Sequence, residues 1–337
     1  MHFTLVSMYR NESENVEVFM EHIHCLFDKI YLVNHLSKDS TENVVAHWAQ
    51  EHGKIEHFSY IEEAYHQSEL MTYITQKIAS TKPETWIFYL DFDEFLPFSC
   101  KDTFKTMMKS CKNETAISMP WLNLIPNGEK IEKYLSGPAV SETSKIAIQI
   151  NKVQSRPIII SPGNHRFYYA DSGEHMKINS KFPLLHVPIS SKESFINKVT
   201  TGTKSNAHNL KHKSLKGIGD HWGFMNYLVE NGLMNQSIIH GLIVSYGETD
   251  RQKELLENDA LEITLQQLLL DGWSELGFSV AKIKLRSLEQ NKLSTPLKTI
   301  ILSPDEIIFD QKHYNPSFFR KKIRKLTNSI TKRICIS

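Results

Sequence analysis

The amino-acid sequence predicts an α/β fold: a Rossmann-like, mostly parallel sheet with flanking helices, followed by a mainly helical C-terminal part. Three observations carry this. Short apolar runs alternate with segments whose apolar residues recur at helical spacing, giving β-α-β-α-β-α-β over residues 3–92. The links between them are short, which suits right-handed crossovers between parallel strands. The run Trp86 to Leu90 has the length and the aromatic and branched content of a strand buried on both faces.

Taken in order, residues 3–8 form the first strand and run into the polar turn Tyr9-Arg10-Asn11-Glu12. Val16 to Phe27 carries Val16, Phe19, Met20, Ile23, Leu26 and Phe27 at helical spacing. Lys29 to Asn34 is the second strand, closed by Ser37, Asp39, Ser40 and Thr41. Ser40 or Thr41 is the candidate cap of a helix from Glu42 to His52. Ile55 to Tyr60 is the third strand, Ser68 to Ala79 the third helix, and residues 86–92 the fourth strand. Ligands gather at the carboxyl ends of such strands, so the turns after residues 8, 34 and 91 are expected to face one crevice.

After residue 100 the pattern loosens. Strands are predicted at Ala116–Trp121, Ile146–Asn151, Arg156–Ile160, Asn164–Tyr169 and Pro183–Val187, and a helix at Asp259–Leu270. The two glycines of Lys216-Gly217-Ile218-Gly219-Asp220-His221-Trp222 are not a phosphate loop, because no strand precedes them and no GxGxxG follows. The expected division is a catalytic and nucleotide-binding unit over 1–225, a mainly helical part over 226–317 and a tail over 318–337.

Composition bounds the function. With 40% hydrophobic and 23% charged residues the chain reads as a globular enzyme, and a net charge of +1 offers nucleic acid no global attraction. The four cysteines, Cys25, Cys100, Cys111 and Cys335, show no zinc or CxxC spacing, which fits reduced thiols in a reducing compartment. The N-terminus meets charge too early for a signal peptide, and no apolar run approaches the roughly 20 residues that span a bilayer. A cytoplasmic location is therefore expected. The tail concentrates seven basic residues and no acidic one after Phe318, with Phe319, Ile323, Leu326, Ile330 and Ile334 near helical spacing. That pattern suits peripheral attachment to an anionic membrane surface, or else a solvated tail without a partner.

Asp91, Asp93 and Glu94 lie inside an otherwise apolar stretch. Burying three carboxylates together demands a cation or several donors. In a continuing strand Asp91 and Asp93 point the same way, a natural seat for a hard divalent ion. The plainer alternative is an acidic pair that caps the strand end.

At these residues the chain resembles the bacterial family-2-like glycosyltransferases of GT-A fold, in the branch with an Asp-x-Asp-Glu-Phe strand end (a DxD motif). Tyr9-Arg10-Asn11-Glu12 is similar to that family's Lys-Asn-Glu turn, and Asn34 to Thr41 resembles its Asp-Asn-x-Ser-x-Asp-x-Thr loop. Asp91-Phe92-Asp93-Glu94-Phe95 matches the metal motif. Leu184 to Ser191, with Phe195 and Lys198, resembles a His-x-Pro-x-x-Ser segment, and Gly219-Asp220-His221-Trp222 a His-Trp pair. Two positions depart: Asn34 stands where aspartate is usual, and Ser190 where arginine is frequent.

The resemblance implies a metal-dependent transfer of a sugar from a nucleotide diphosphate, UDP above all, to a glycan or lipid-linked acceptor in surface polysaccharide synthesis. Mn²⁺ or Mg²⁺ would sit on Asp91 and Asp93, with Glu94 orienting the loop and His186 or His165 adding an imidazole. Asn11, Glu12, Asn34, Asp39, Gln67, Asp91 and Lys198 are the candidate nucleotide-sugar contacts, with Lys204 a further phosphate or acceptor contact. An inverting transfer needs a base, for which Asp220, Asp171 and Glu174 are candidates; His221 and Trp222 would stack on the acceptor. A metal-dependent phosphohydrolase or nucleotidyltransferase uses similar aspartates, and a non-catalytic nucleotide- or carbohydrate-binding protein is the remaining alternative.

Overall fold

The computed structural model describes residues 1–82, 84–98, 100–126, 134–136, 143–153, 156–176, 178–211, 225–226, 228–232, 242 and 300–302. It opens with β1 (His2–Tyr9), α1 (Val16–Leu26), β2 (Lys29–His35), α2 (Thr41–Glu51), β3 (Ile55–Tyr60), α3 (Gln67–Thr81) and β4 (Thr85–Tyr89). β1 pairs in parallel with β2 on one side and β4 on the other, and β2 pairs in parallel with β3. The predicted parallel α/β series is therefore present, in the order β3-β2-β1-β4.

Period-two alternation explains why this sheet is buried on both faces. From β1 and β4, Phe3, Leu5, Trp86 and Phe88 enter one core with Phe19 and Ile23 of α1 and Val44 and Val45 of α2. Val6, Met8, Ile87 and Tyr89 enter the other, against Leu70, Met71, Ile74 and Ile78 of α3. One helix face therefore meets each side of the sheet.

The chain continues through β5 (Glu94–Phe95), α4 (Lys101–Ser110), β6 (Ala116–Pro126), β7 (Tyr134–Ser136), β8 (Ser144–Gln149), α5 (Ile150–Val153) and β9 (Ile158–Ile160). A 3-10 turn over Pro162–Asn164 leads to β10 (Phe167–Tyr169), β11 (Asn179–Ser180), β12 (Leu184–His186) and α6 (Lys192–Lys211). β8 is antiparallel to β4 and to β6, while β12 is parallel to β6 and antiparallel to the two-residue β5. The second half of the sheet thus folds back beside β4 and returns β12 to the residues just after it. β9 and β10 form a separate hairpin against α3.

Three local differences from the sequence reading have physical causes. β4 stops at Tyr89, and Asp91 to Glu94 form a turn closed by the Glu94 N–H on the Asp91 carbonyl (3.1 Å). The same turn is tied by the Asp91 N–H to the Glu94 carboxylate (2.8 Å), so side-chain acceptance outcompetes strand extension. At α2, neither Ser40 nor Thr41 supplies a side-chain cap. Asp39 accepts from the Thr41 N–H (3.0 Å) and the Thr41 hydroxyl (2.5 Å) instead. Finally, β13 (Ile300–Leu302) adds to the sheet in parallel beside β3, and Met225, Leu228 and Leu242 are buried in the first core. Leu228 and Leu242 therefore share the core of the first unit. The predicted helix at 259–270 and the tail at 318–337 lie outside the described residues, as do Asp220, His221 and Trp222.

Cys25, Cys100 and Cys111 are free thiols. Among the described residues no helix is long and apolar enough to cross a membrane.

Candidate functional site

The order β3-β2-β1-β4 makes β1 the point where the connections reverse direction, and in such sheets ligands gather there at the strands' carboxyl ends. The turn after β1 carries Asn11 and Glu12, and the turn after β4 carries Asp91, Asp93 and Glu94. Asn11 adopts a left-handed conformation (φ 56°), which asparagine tolerates better than most side chains. Its carboxamide oxygen accepts from the Lys38 N–H (2.7 Å), and its own N–H donates to the Ser37 hydroxyl (3.1 Å). The Asn34 oxygen accepts from the Ser37 N–H (3.0 Å). Asp39 accepts from the Ser13 N–H (3.1 Å) besides starting α2. These side chains knit the first two turns into one wall.

β12 supplies the opposite wall. Its pairing with β5 sets His186 across from Glu94, and the Val187 N–H donates to the Asp93 carbonyl (2.8 Å). One ligand atom each from Asp93, Glu94 and His186 lies within 4.8 Å of the others, all three residues being buried. His186 stacks on Trp121 (4.2 Å between ring centroids, 23° between planes) and its Nδ1 lies 2.7 Å from the Asn123 oxygen. That contact requires Nδ1 to donate, so the neutral ring turns its Nε2 lone pair towards Asp93 Oδ2, 3.7 Å away. Burial lowers the pKa of His186, which favours the neutral form. An imidazole lone pair and a carboxylate oxygen facing each other across that gap suit a shared cation, and an oxygen-rich set with one nitrogen suits Mn²⁺.

Two lysines complete the cluster. Lys145, only 1% exposed, reaches from β8 to Asp91 Oδ2 (2.5 Å) and Glu94 Oε1 (3.5 Å). Lys198 reaches from α6 to Asp93 Oδ2. Glu94 also accepts from the Trp121 indole N–H (2.7 Å), so its carboxylate is held from three directions. Burial raises the Glu94 pKa, with Lys145 opposing and Asp91 and Asp93 adding to the rise. Burial would raise Asp93 too, but the Lys198 ammonium outweighs it and holds that carboxyl well below its usual range. Glu12 belongs to the same field: burial and the Asp93 and Asp91 carboxylates raise it, against Lys198 and the Asn15 amide.

The predicted residues thus separate. Asp93 and His186 converge with Glu94. Asp91 turns to Lys145, and His165 gives its Nδ1 to the Ser144 carbonyl (2.7 Å) while its ring meets Trp121 edge-on. Gln67, at the start of α3, accepts from the Gly163 N–H (2.8 Å) and so holds the turn that carries His165. Asp171 pairs with Arg156 through two hydrogen bonds (2.8 and 2.6 Å), and Glu174 lies 3.8 Å from the same guanidinium, on the β9–β10 hairpin. Ser190 and Ser191 both donate to Glu14 (2.7 Å each), and Ser191 accepts from the Ser194 N–H, capping α6.

Sequence reasoning missed Lys145, Trp121 and Asn123. Two of them had a faint signal: Lys145 is a lone lysine at the head of an apolar strand, and Asn123 a polar residue two places after a tryptophan. Their meaning depends on long-range strand pairing that no local pattern encodes, antiparallel for Lys145 on β8 and parallel for Trp121 and Asn123 on β6 beside β12.

No protein-family model matches the chain, and no curated protein matches it. Among solved structures it is similar to "Mannosyltransferase PcManGT from Pyrobaculum calidifontis in complex with GDP-Man and Mn2+", at 12% identity over 83% of this chain and 84% of that chain (TM-score 0.38). It is also similar to glucosyl-3-phosphoglycerate synthase from Mycobacterium tuberculosis, at 11% identity over 61% and 80% (TM-score 0.32). Mannose-6-phosphate isomerase from Helicobacter pylori follows at 9% over 46% and 63% (TM-score 0.28). At these scores the likenesses add nothing to the reading of the site, which rests on its own geometry.

Proposed function

We propose that the chain is a metal-dependent glycosyltransferase that moves a sugar from a nucleotide diphosphate donor, UDP above all, to a glycan or lipid-linked acceptor. The observation that carries this reading is the buried Asp93–Glu94–His186 set at the switch point of a parallel sheet, with the Nε2 lone pair of His186 aimed at Asp93.

In this reading Asp93 and His186 hold Mn²⁺ or Mg²⁺, and Glu94 orients the turn through the Asp91 N–H and the Trp121 indole. A bound divalent ion supplies charge to the diphosphate leaving group. The protein's own part is positioning. Asn11, Glu12, Asn34 and Asp39 form the wall against which the nucleotide would lie, and Asp91 pairs with Lys145. An acceptor hydroxyl must lose a proton during inverting transfer. Arg156 holds Asp171 and lowers its pKa, which makes it a poor base; Asp220 is preferred over Glu174 for its place in the family-like Gly219-Asp220-His221-Trp222 stretch. The tail at 318–337 would bring the enzyme to an anionic membrane surface that carries a lipid-linked acceptor.

The test is transfer from UDP- and GDP-sugars with Mn²⁺ present, against Asp93→Ala. Sugar release that needs Mn²⁺ and vanishes in the variant is the expected result. Phosphate release from simple esters without use of any nucleotide sugar overturns the reading in favour of a phosphohydrolase.

A further inference from the structure

We propose that Lys198 occupies two positions: on Asp93 in the metal-free protein, and on the donor's diphosphate once a divalent ion has taken its place. The proposal rests on the reading of this centre as a metal and nucleotide-diphosphate site.

The geometry is specific. Lys198 Nζ and His186 Nε2 converge on the same oxygen, Asp93 Oδ2. An ion that bridges Asp93 and His186 must therefore enter where the ammonium now lies. With Lys198 in place, two ammonium groups already face three carboxyl groups. A dication and an ammonium on that one carboxylate oxygen would repel each other at contact distance, and burial raises the cost.

The two lysines are not equivalent. Lys145 is sealed in (1% exposed), hydrogen-bonded to Asp91, and lies 5.9 Å from the centre of the Trp121 ring, so it cannot leave without unfolding its strand. The Lys198 side chain is 29% exposed on a long flexible stem. Its helix is held independently of Asp93, because Ser190 and Ser191 tie the start of α6 to Glu14. The side chain can swing while the helix stays. Displaced from Asp93, the ammonium needs a new anion, and a diphosphate lying on the ion provides one.

The consequence is positive coupling. Mn²⁺ alone must displace Lys198 into water, whereas Mn²⁺ with a nucleoside diphosphate displaces it onto phosphate. Each ligand then strengthens the other by the same factor.

The experiment measures Mn²⁺ binding to the full chain by electron paramagnetic resonance of the free ion, with and without UDP, and needs no turnover. In the wild type, UDP should tighten Mn²⁺ binding. Lys198→Met should bind Mn²⁺ alone about tenfold tighter than the wild type and lose most of the UDP effect. Lys198→Arg, which keeps a cation there, should remain weak for Mn²⁺ alone. Should the methionine variant fail to fold, Lys198→Gln takes its place. Equal or weaker Mn²⁺ binding by the folded neutral variant overturns the proposal, and so does absence of UDP coupling in the wild type. If these affinities behave as expected while no nucleotide sugar is consumed, the transferase reading falls and the role of Lys198 stands.

Discussion

Lys145 places its ammonium 2.5 Å from Asp91 while only 1% of its side chain meets solvent. Its second partner, Glu94, is fully buried. Asp91 and Glu94 pull the lysine's pKa up against the burial that lowers it, so the ammonium stays charged. Lys145→Met should therefore leave two carboxylates without their cation and cost about 3 kcal/mol, as breaking a buried pair does. Urea unfolding at pH 7 measures it. A loss under about 1 kcal/mol would mean that the pair carries little of the fold.

Asn123 sets the tautomer of His186 without touching the candidate ion position. Asn123→Leu removes the acceptor for Nδ1–H and lets the proton move to Nε2. Mn²⁺ affinity should fall about 10–100-fold, the range seen for partners that orient a ligating histidine. Calorimetric titration of the folded variant checks this, and unchanged affinity would remove His186 from the metal set.

His22 lies under the acidic turn, where its Nε2 accepts the Leu96 N–H at 3.0 Å. Burial lowers its pKa to about 3. A histidine depressed in the folded state contributes stability that is complete above its unfolded pKa near 6.5 and drains away as pH falls. The slope is roughly 1.4 kcal/mol per pH unit below that value, down to the folded pKa. His22→Gln keeps an acceptor for Leu96 and should flatten the decline of stability between about pH 6 and 4, inside the window from about 6.5 in the unfolded chain to about 3 in the fold. Parallel declines in the two proteins would show that another group drives acid unfolding.

Gly163 has φ 72°, and a Cβ placed there would lie 2.2 Å from His165 Nε2. That ring is held by the Ser144 carbonyl and packed on Trp121, so it cannot simply turn aside. Gly163→Ala should cost about 1–3 kcal/mol, combining backbone strain with the displaced ring. Thermal unfolding tests it; an unshifted midpoint would mean that the turn repacks freely.

Glu14 joins the first turn to α6 through Ser190 and Ser191. Glu14→Ala should loosen the start of that helix by about 1 kcal/mol, the usual worth of such contacts. Amide hydrogen exchange reads this locally, as faster exchange over residues 194–199 with β1 unchanged. Uniform protection would show that α6 is held by its apolar face alone, through Phe195 and Val199.

The parallel half of this protein was legible before any coordinates. Strands at β1 to β4 and helices at α1 to α3 follow from apolar spacing, because local periodicity decides which backbone hydrogen bonds a segment can make. Asp93 was legible for a related reason: a carboxylate in an apolar run must be neutralised by something. The identity of what neutralises it was not. Lys145 comes from β8 and Lys198 from α6, 54 and 105 residues away from their partners. Asn123 and Trp121 sit beside His186 only because β6 and β12 run parallel.

The sequence by itself determined a parallel sheet and a carboxylate cluster at the end of its fourth strand, since both depend on neighbours within a few residues. Tertiary structure alone decided that Asp93 converges with Glu94 and His186 while Asp91 turns to Lys145. Side-chain pairing across a sheet depends on register between distant strands, and burial then raises the energetic weight of each partner.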